Sequence, residues 1–324
     1  MLLILSDAFD AHADRVASKL SRVGIKYFRL NLDIESLLKT KMTFDNQQWF
    51  IKTPFASVSS TDISCVWLRK YFVELNLQEK ERLKSIDFKI WKNEFNATLL
   101  GLYTALKPLA WLNPISNAIK GDNKYYQMQL ASKVGFNMPR TIVSNDKAKL
   151  VEFAHSQNDD VIFKLLNQEM YPADKDGAMQ GIYANRITTQ QLDKFSTNGE
   201  NPLMLQEYIQ KAYEVRYTVV GKQHFVCKIE SQKSQLARED WRRYELSKTP
   251  HAPITPPQQI AQKVDALLAK MGLEFGALDF IVTPSGEWVF LEINCGGQWL
   301  WIEDLAGLDI SGGIVEWIKG HCLS

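Results

Sequence analysis

Cysteine is scarce in this 324-residue sequence, which holds only Cys65, Cys227, Cys295 and Cys322, with no CxxC pair. That excludes a disulfide-built secreted scaffold and a cysteine zinc site, and leaves reduced thiols in a cytoplasmic protein as the simplest reading. Long apolar runs are missing too. The opening Met1-Leu2-Leu3-Ile4-Leu5 is cut off by Asp7 and Asp10, too early for a signal-peptide core or a membrane span, so no membrane role is expected. Charge of one sign is also lacking. Lys and Arg number 38 against 37 Asp and Glu, which argues against nucleic acid as a partner of the whole molecule. No internal repeat and no low-complexity tract interrupts the chain.

What is present is an ordinary globular balance, 45% hydrophobic and 23% charged, in a chain long enough for about two or three cored domains. Residues 2–5 read as a buried strand, Val16 and Leu20 mark a helix, and Gly24 ends it before a second strand at 25–30. This opening predicts an α/β domain. A further strand is expected at 63–69 and helical structure at 79–107, where Leu99, Leu102 and Leu106 share one side and Glu79 to Lys84 form a solvated charge run. Asn113-Pro114 marks a break, followed by a helix at 121–134 closed by Gly135 and Pro139. A short strand at 161–166 leads into a polar loop or hairpin at 167–181. Met204 to Ile209 is apolar, and 215–220 and 224–229 read as strands paired about Gly221. Thr255 is expected to cap a helix, with Pro256 at its first position and Gln258 as the capping-box partner; Gly272 stops it. The organisation read from these breaks is 1–112, 113–203 and 204–324.

The most informative segment runs from Gly276 to Asn294. Two apolar strands flank Thr283-Pro284-Ser285-Gly286, with proline and glycine where a type I turn prefers them. If Thr283 faces Gly286, Asp279 faces Phe290, and Asp279, Glu292 and Asn294 share one side of the hairpin. Two carboxylates and an amide oxygen are hard ligands suited to magnesium. A three-residue turn would put Asp279 on the other face, and a surface hairpin with incidental acids is the plain alternative. Lys164 inside an apolar strand needs a partner such as phosphate or an adenine nitrogen, unless it snorkels at an edge. Lys124 lies early in its helix. Glu207 and Glu214 bracket Tyr208-Ile209, placing acids where ribose hydroxyls and an adenine edge could be met. Arg216 and Arg242 could neutralise a transferring phosphoryl group, although either arginine alone reads as a surface residue.

Taken in order, Lys124, Lys164, Gln206-Glu207-Tyr208-Ile209, Glu214-x-Arg216, and Asp279 with Glu292-x-Asn294 resemble the ATP-grasp superfamily over roughly residues 113–324. The resemblance implies ATP held by Lys124, Lys164, Gln206, Glu207, Tyr208, Ile209 and Glu214. It also implies magnesium, as two ions, on Asp279, Glu292 and Asn294. A closer resemblance is to the ligases that cyclise microviridin-type peptides, the graspetide group. Val66-Trp67-Leu68-Arg69-Lys70 is similar to the end of that group's N-terminal pre-ATP-grasp domain, and Ser231-Gln232 with Asp240-Trp241-Arg242 to its active-site arginine segment. Gly297-Gln298-Trp299-Leu300-Trp301-Ile302-Glu303 is similar to its C-terminal signature. The group's fold is α/β, an ATP-grasp fold behind a pre-ATP-grasp domain. Its chemistry implies activation of Asp or Glu side chains of a precursor peptide with a leader segment, catalytic roles for Arg216 and Arg242, and a homodimer. One departure is Cys295, where the group usually has proline. Two other readings use the same residues: an ATP-grasp amino-acid ligase acting on a small molecule or protein tail, and a nucleotide-binding regulator without turnover.

Overall fold

The computed structural model describes the chain except residues 76–77, 168–169, 173–178, 182–183, 193, 196–200, 236–237, 239–247 and 323–324. The chain opens with β1 (Leu2–Ser6), α1 (Ala11–Arg22), β2 (Tyr27–Asn31) and α2 (Ile34–Leu38). Then come β3 (Lys41–Asp45), β4 (Gln48–Lys52), β5 (Ser57–Ser59), β6 (Cys65–Leu68), α3 (Ile86–Ala105) and β7 (Ala110–Leu112). β2-β1-β6-β7 form a parallel sheet. Its first strand is fully buried, as a parallel strand covered on both faces must be. The expected strand–helix–strand opening is therefore present. The antiparallel sheet β3-β4-β5 is inserted between α2 and β6, an element beyond those expected from the sequence.

The break at Asn113 has a physical role. Its buried amide donates to the carbonyls of Phe275 (2.8 Å) and Cys295 (3.0 Å) and accepts from the Glu274 and Phe275 amides, tying the end of β7 to the last sheet. The helix expected at 121–134 is α5 (Lys124–Lys133), which starts where Asn123 accepts the Tyr126 amide; a separate short helix, α4 (Ile115–Gly121), precedes it. Next come β8 (Thr141–Ser144), α6 (Lys147–Ser156), β9 (Val161–Lys164), β10 (Met170–Pro172), β11 (Met179–Gly181), β12 (Asn185–Ile187), α7 (Thr189–Leu192) and β13 (Leu203–Glu207). β12-β9-β13-β8 make an antiparallel sheet with its own core of Leu150, Ala154, Val161, Leu203 and Leu205, and β10 pairs with β11 as a hairpin.

The remainder is β14 (Tyr213–Val220), β15 (Gln223–Ile229), β16 (His251–Pro253), α8 (Gln258–Met271), β17 (Phe275–Val282), β18 (Trp288–Asn294), α9 (Leu300–Ala306) and α10 (Ile310–Cys322). β16-β15-β14-β17-β18 is antiparallel. Thr255 does not cap α8: the residue before its first turn is Pro257, at φ −56 and ψ 140, with no side-chain cap. A residue preceding proline is held extended, so Pro256 before Pro257 cannot enter the helix. Gly272 does stop it, at φ 64.

The reduced-thiol reading is corrected for one pair. Cys65 of β6 is disulfide-bonded to Cys322 at the end of α10, with Cα atoms 5.3 Å apart and a sequence separation of 257. Sequence distance hid the pair, since only packing of α10 against the first sheet brings them together. Among the described residues no helix is long and apolar enough to cross a membrane.

Candidate active site

The hairpin β17–β18 brings its acids together by a different route from the one expected. The chain-reversing loop is longer by a residue. The Gly286 amide donates to the Thr283 carbonyl at 2.9 Å and closes the turn, but Gly286, at φ 84, is an extra residue: the Glu287 carbonyl accepts from the Thr283 amide, and Val282 pairs with Trp288. On that register alone Asp279 would point away. A β-bulge intervenes: Phe280 pairs with Phe290 while Asp279 pairs with Glu292, leaving Leu291 without a partner on β17. The extra residue restores the parity, and Asp279, Glu292 and Asn294 line the same cavity.

Register carries the arrangement across the sheet. Arg216 of β14 lies opposite Asp279, which lies opposite Glu292, so one cation and two acids stand in a row on strands roughly 5 Å apart. Arg216 Nη1 donates to Asp279 Oδ2 at 3.1 Å, and both side chains are buried. At the outer end Lys124 Nζ meets Glu292 Oε2 at 2.7 Å, and Asn294 Nδ2 lies 3.4 Å from Glu292 Oε1. Lys124 arrives there because Gln127, one turn later on α5, is locked to β18. Its amide donates to the carbonyls of Ile293 (2.7 Å) and Gly121, and accepts the Ile293 amide. Residues three apart share a helix face, so fixing Gln127 fixes Lys124.

These residues line a cavity of 810 Å³ with Arg69, Tyr71, Glu74, Asp122, Asn167 and Gln298. The donor set fits magnesium: two carboxylates and one amide, all hard oxygens, on one wall. Among the described residues no three His, Cys, Asp or Glu side chains cluster as a metal site, so such an ion would draw on Asn294 and on ligand oxygens as well.

The nucleotide candidates lie mostly on the central sheet. Lys164 pairs with Met204 and Gln206 with Ile162, which by strand parity puts Lys164 and Gln206 on the face opposite the Leu203–Leu205 core. Gln206 is buried and donates to Thr141 Oγ1 at 3.0 Å. Glu207 ends β13, and Tyr208 is covered by the Arg186 guanidinium 4.4 Å from its ring centre, with Ile209 half-buried beyond. Glu214 forms a buried pair with Lys211 at 2.9 Å. Leu166 and Asn167, just past Lys164, reach the cavity wall. Arg242, with Asp240 and Trp241, lies outside the described residues.

The loop after Asn294 is held from the N-terminal sheet. Arg69 donates through Nε to Asp10 Oδ2 (3.0 Å) and through Nη1 to the Gly296 carbonyl (3.1 Å). His12 Nδ1 lies 3.2 Å from Asp10 Oδ1, and its Nε2 accepts the Trp299 amide at 3.2 Å. Accepting at Nε2 fixes the neutral imidazole with its proton on Nδ1, toward Asp10. Burial pushes the Asp10 carboxyl up. The His12 hydrogen bond, Arg69 and Ser6 together outweigh it and hold the group well below the carboxylate range. Glu303 completes the tie, accepting from Arg15 at 3.0 Å and from Ser311 at 2.7 Å.

Cys295 is a spacer. Burial, then the Asp122 charge, push its thiol up, away from thiolate. Its amide donates to Asp122 Oδ1 at 3.3 Å, a bond that proline could not make, and a Cβ on Gly121 would come within 2.5 Å of its sulfur. Cys227, next to Arg216 in the sheet, is pushed up to about 12 by burial. Tyr71, Glu74, Asp122 and Asn167 carried no sequence signal, because they sit on two loops and a helix end with no shared period.

Residues 1–119 match the MvdD pre-ATP grasp domain. Over the whole chain the fold is that of a RiPP-associated ATP-grasp ligase of Chryseobacterium gregarium, solved with ADP and a leader and core peptide. That structure is 29% identical, at a TM-score of 0.86, covering 99% of this chain and 96% of the other. Macrocyclase MdnC from Microcystis aeruginosa, bound with its precursor peptide MdnA, is 25% identical with a TM-score of 0.83, covering 100% and 99%. The alpha-aminoadipate–LysW ligase LysX of Sulfurisphaera tokodaii is 30% identical over 101 residues, 31% of this chain and 35% of that ligase. The fold is thus an ATP-grasp fold behind a pre-ATP-grasp domain. More particularly, the resemblance to the microviridin-type ATP-grasp ligases read from the sequence holds along the whole chain.

Proposed function

We propose that this protein is an ATP-dependent peptide macrocyclase, joining Asp or Glu side chains of a precursor peptide to hydroxyls or amines of the same peptide. The observation that supports this best is the row Arg216–Asp279–Glu292–Lys124 facing one cavity, in a chain whose fold matches peptide-bound ligases end to end. In the first step a peptide carboxylate attacks the γ-phosphorus of ATP, forming an acyl phosphate and releasing ADP. In the second a Ser or Thr hydroxyl or a Lys amine attacks the acyl carbon, loses its proton, and expels phosphate to leave an ester or amide.

Asp279, Glu292 and Asn294 would hold magnesium, proposed as two ions, which supplies charge neutralisation between carboxylate and triphosphate. Arg216 faces the transferring phosphoryl group, with Arg242 proposed beside it. Lys124 and Lys164 hold phosphates, and Gln206 to Ile209 with Glu214 hold adenine and ribose. The parts 1–112, 113–203 and 204–324 are proposed as its three domains, with β13 contributing to the central sheet by its pairing.

A homodimer is proposed on Ile86, Ile90 and Leu100, which lie on one exposed stripe of α3. Ile90→Asp should sediment as a monomer where the parent chain sediments as a dimer; identical sedimentation would remove that assignment.

The function is tested by intact-mass analysis of a leader-bearing precursor peptide, encoded beside the gene, after incubation with protein, ATP and magnesium. Loss of one water per ring, dependent on ATP, is expected. An unchanged mass would overturn the cyclase reading, and a gain of one amino-acid residue in a screen with free amino acids would favour the amino-acid ligase.

A further inference from the structure

A second cavity, of 670 Å³, lies in the N-terminal domain next to the active cleft. Its position follows from topology. In the order β2-β1-β6-β7 the chain leaves β1 toward β2 on one side and returns at β6 on the other, so the loops after β1 and β6 part at the carboxyl ends of their strands. Open parallel sheets bind ligands in the crevice made there. The cavity is lined by the loop after β1 (Asp7, Phe9), the N-cap of α2 (Asp33) and the segment after β6 (Lys70, Glu74).

Lys70 and Glu74 also line the 810 Å³ cavity, so the two cavities share a wall. Lys70 Nζ braces it, 3.4 Å from Asp7 Oδ2 and 3.3 Å from Glu74 Oε2. At the rim stand two phenylalanines that pack on almost nothing, Phe9 at 87% and Phe55 at 95% exposure. Single exposed apolar residues are common, but two large rings at the mouth of one cavity offer a surface to an apolar side chain.

Charge sets the kind of ligand. Five acids line this cavity against three basic residues, whereas four of each line the active cleft. Of the three, Arg29 is already engaged by Asn31, Asp14 and the Asp7 carbonyl. A carboxylate is therefore disfavoured here relative to the cleft, and an amine or hydroxyl is favoured.

We propose that this cavity is the subsite for the nucleophile-bearing segment of the substrate peptide. It takes an apolar side chain against Phe9 and Phe55 and an amine or hydroxyl toward the acidic lining, while the carboxylate to be activated lies across the Lys70–Glu74 wall. The choice of a peptide rests on the ligase reading. By repelling carboxylates, the subsite would set the direction in which the peptide lies.

The test uses the full chain and two blocked dipeptides, N-acetyl-Phe-Lys-amide and N-acetyl-Phe-Glu-amide, with binding followed by saturation-transfer NMR. The lysine dipeptide should bind at least about fivefold more tightly, the equivalent of about 1 kcal/mol. The double variant Phe9→Ser/Phe55→Ser should lose that binding yet bind ADP with magnesium as the parent does. Both rings are exposed, so the fold should survive. Equal binding of the two dipeptides, no binding of either, or binding unchanged in the double variant would overturn the subsite. Failure of the parent chain to bind ADP and magnesium would instead count against the ligase reading, leaving the dipeptide result to be judged by itself.

Discussion

Asp279→Asn is expected to lower peptide-dependent ATP turnover by a hundredfold or more, an effect of about 3 kcal/mol on the barrier, with the fold intact. Asparagine is the informative change because of what surrounds the residue. Asp279 is buried against Arg216 at 3.1 Å. Alanine would leave the guanidinium buried without its counter-charge, at a cost of about 3–5 kcal/mol in stability, and lost activity could then mean lost structure. The amide oxygen can still accept from Arg216, while the negative charge that a magnesium ion and the phosphoryl transfer would use is gone. Turnover and thermal unfolding measured together separate the two effects. Near-normal turnover would remove Asp279 from the proposed metal site.

Arg69→Ala is expected to destabilise the protein by about 3 kcal/mol at neutral pH, because it strands the buried Asp10 carboxylate and releases the Gly296 carbonyl. The effect should depend on pH in a defined direction. Asp10 is held below its ordinary value of 3.8 in the folded protein, so its contribution is complete above that value and lost as pH falls below it. Urea unfolding of parent and variant should differ most above about pH 5 and converge in acid. A difference that ignores pH, or none at pH 7, would show that the Asp10–Arg69 pair does not hold the loop after Asn294. On the proposed reading the variant also loses turnover, since that loop borders the cleft.

Much of the site was legible because its residue types are costly where they stand. A lysine ending an apolar strand, two acids and an asparagine on one hairpin, and an arginine within β14 all demand partners, and the demand shows in the sequence. The turn at Thr283–Gly286 forms with one extra loop residue, the three-residue alternative that would put Asp279 on the other face, and the bulge at Leu291 reverses that consequence. Neither event leaves a mark in the pattern, because both depend on how the hairpin packs against β14 and Phe136. The Cys65–Cys322 bond, the Asp10–His12–Arg69 tie and the acidic cavity share that character: each joins segments far apart in the chain.

The sequence by itself determined the α/β class, the order of the pieces and the residue types of the proposed donor set, because strand burial, helix-stopping glycines and hard oxygen ligands are local properties of residue type and spacing. Only the tertiary structure decided which acid faces which cation, where the N-terminal sheet grips the loop after the proposed metal ligands, and that a second cavity opens beside the first. Those are matters of register and packing between distant segments, set by cores that form only when the whole chain folds.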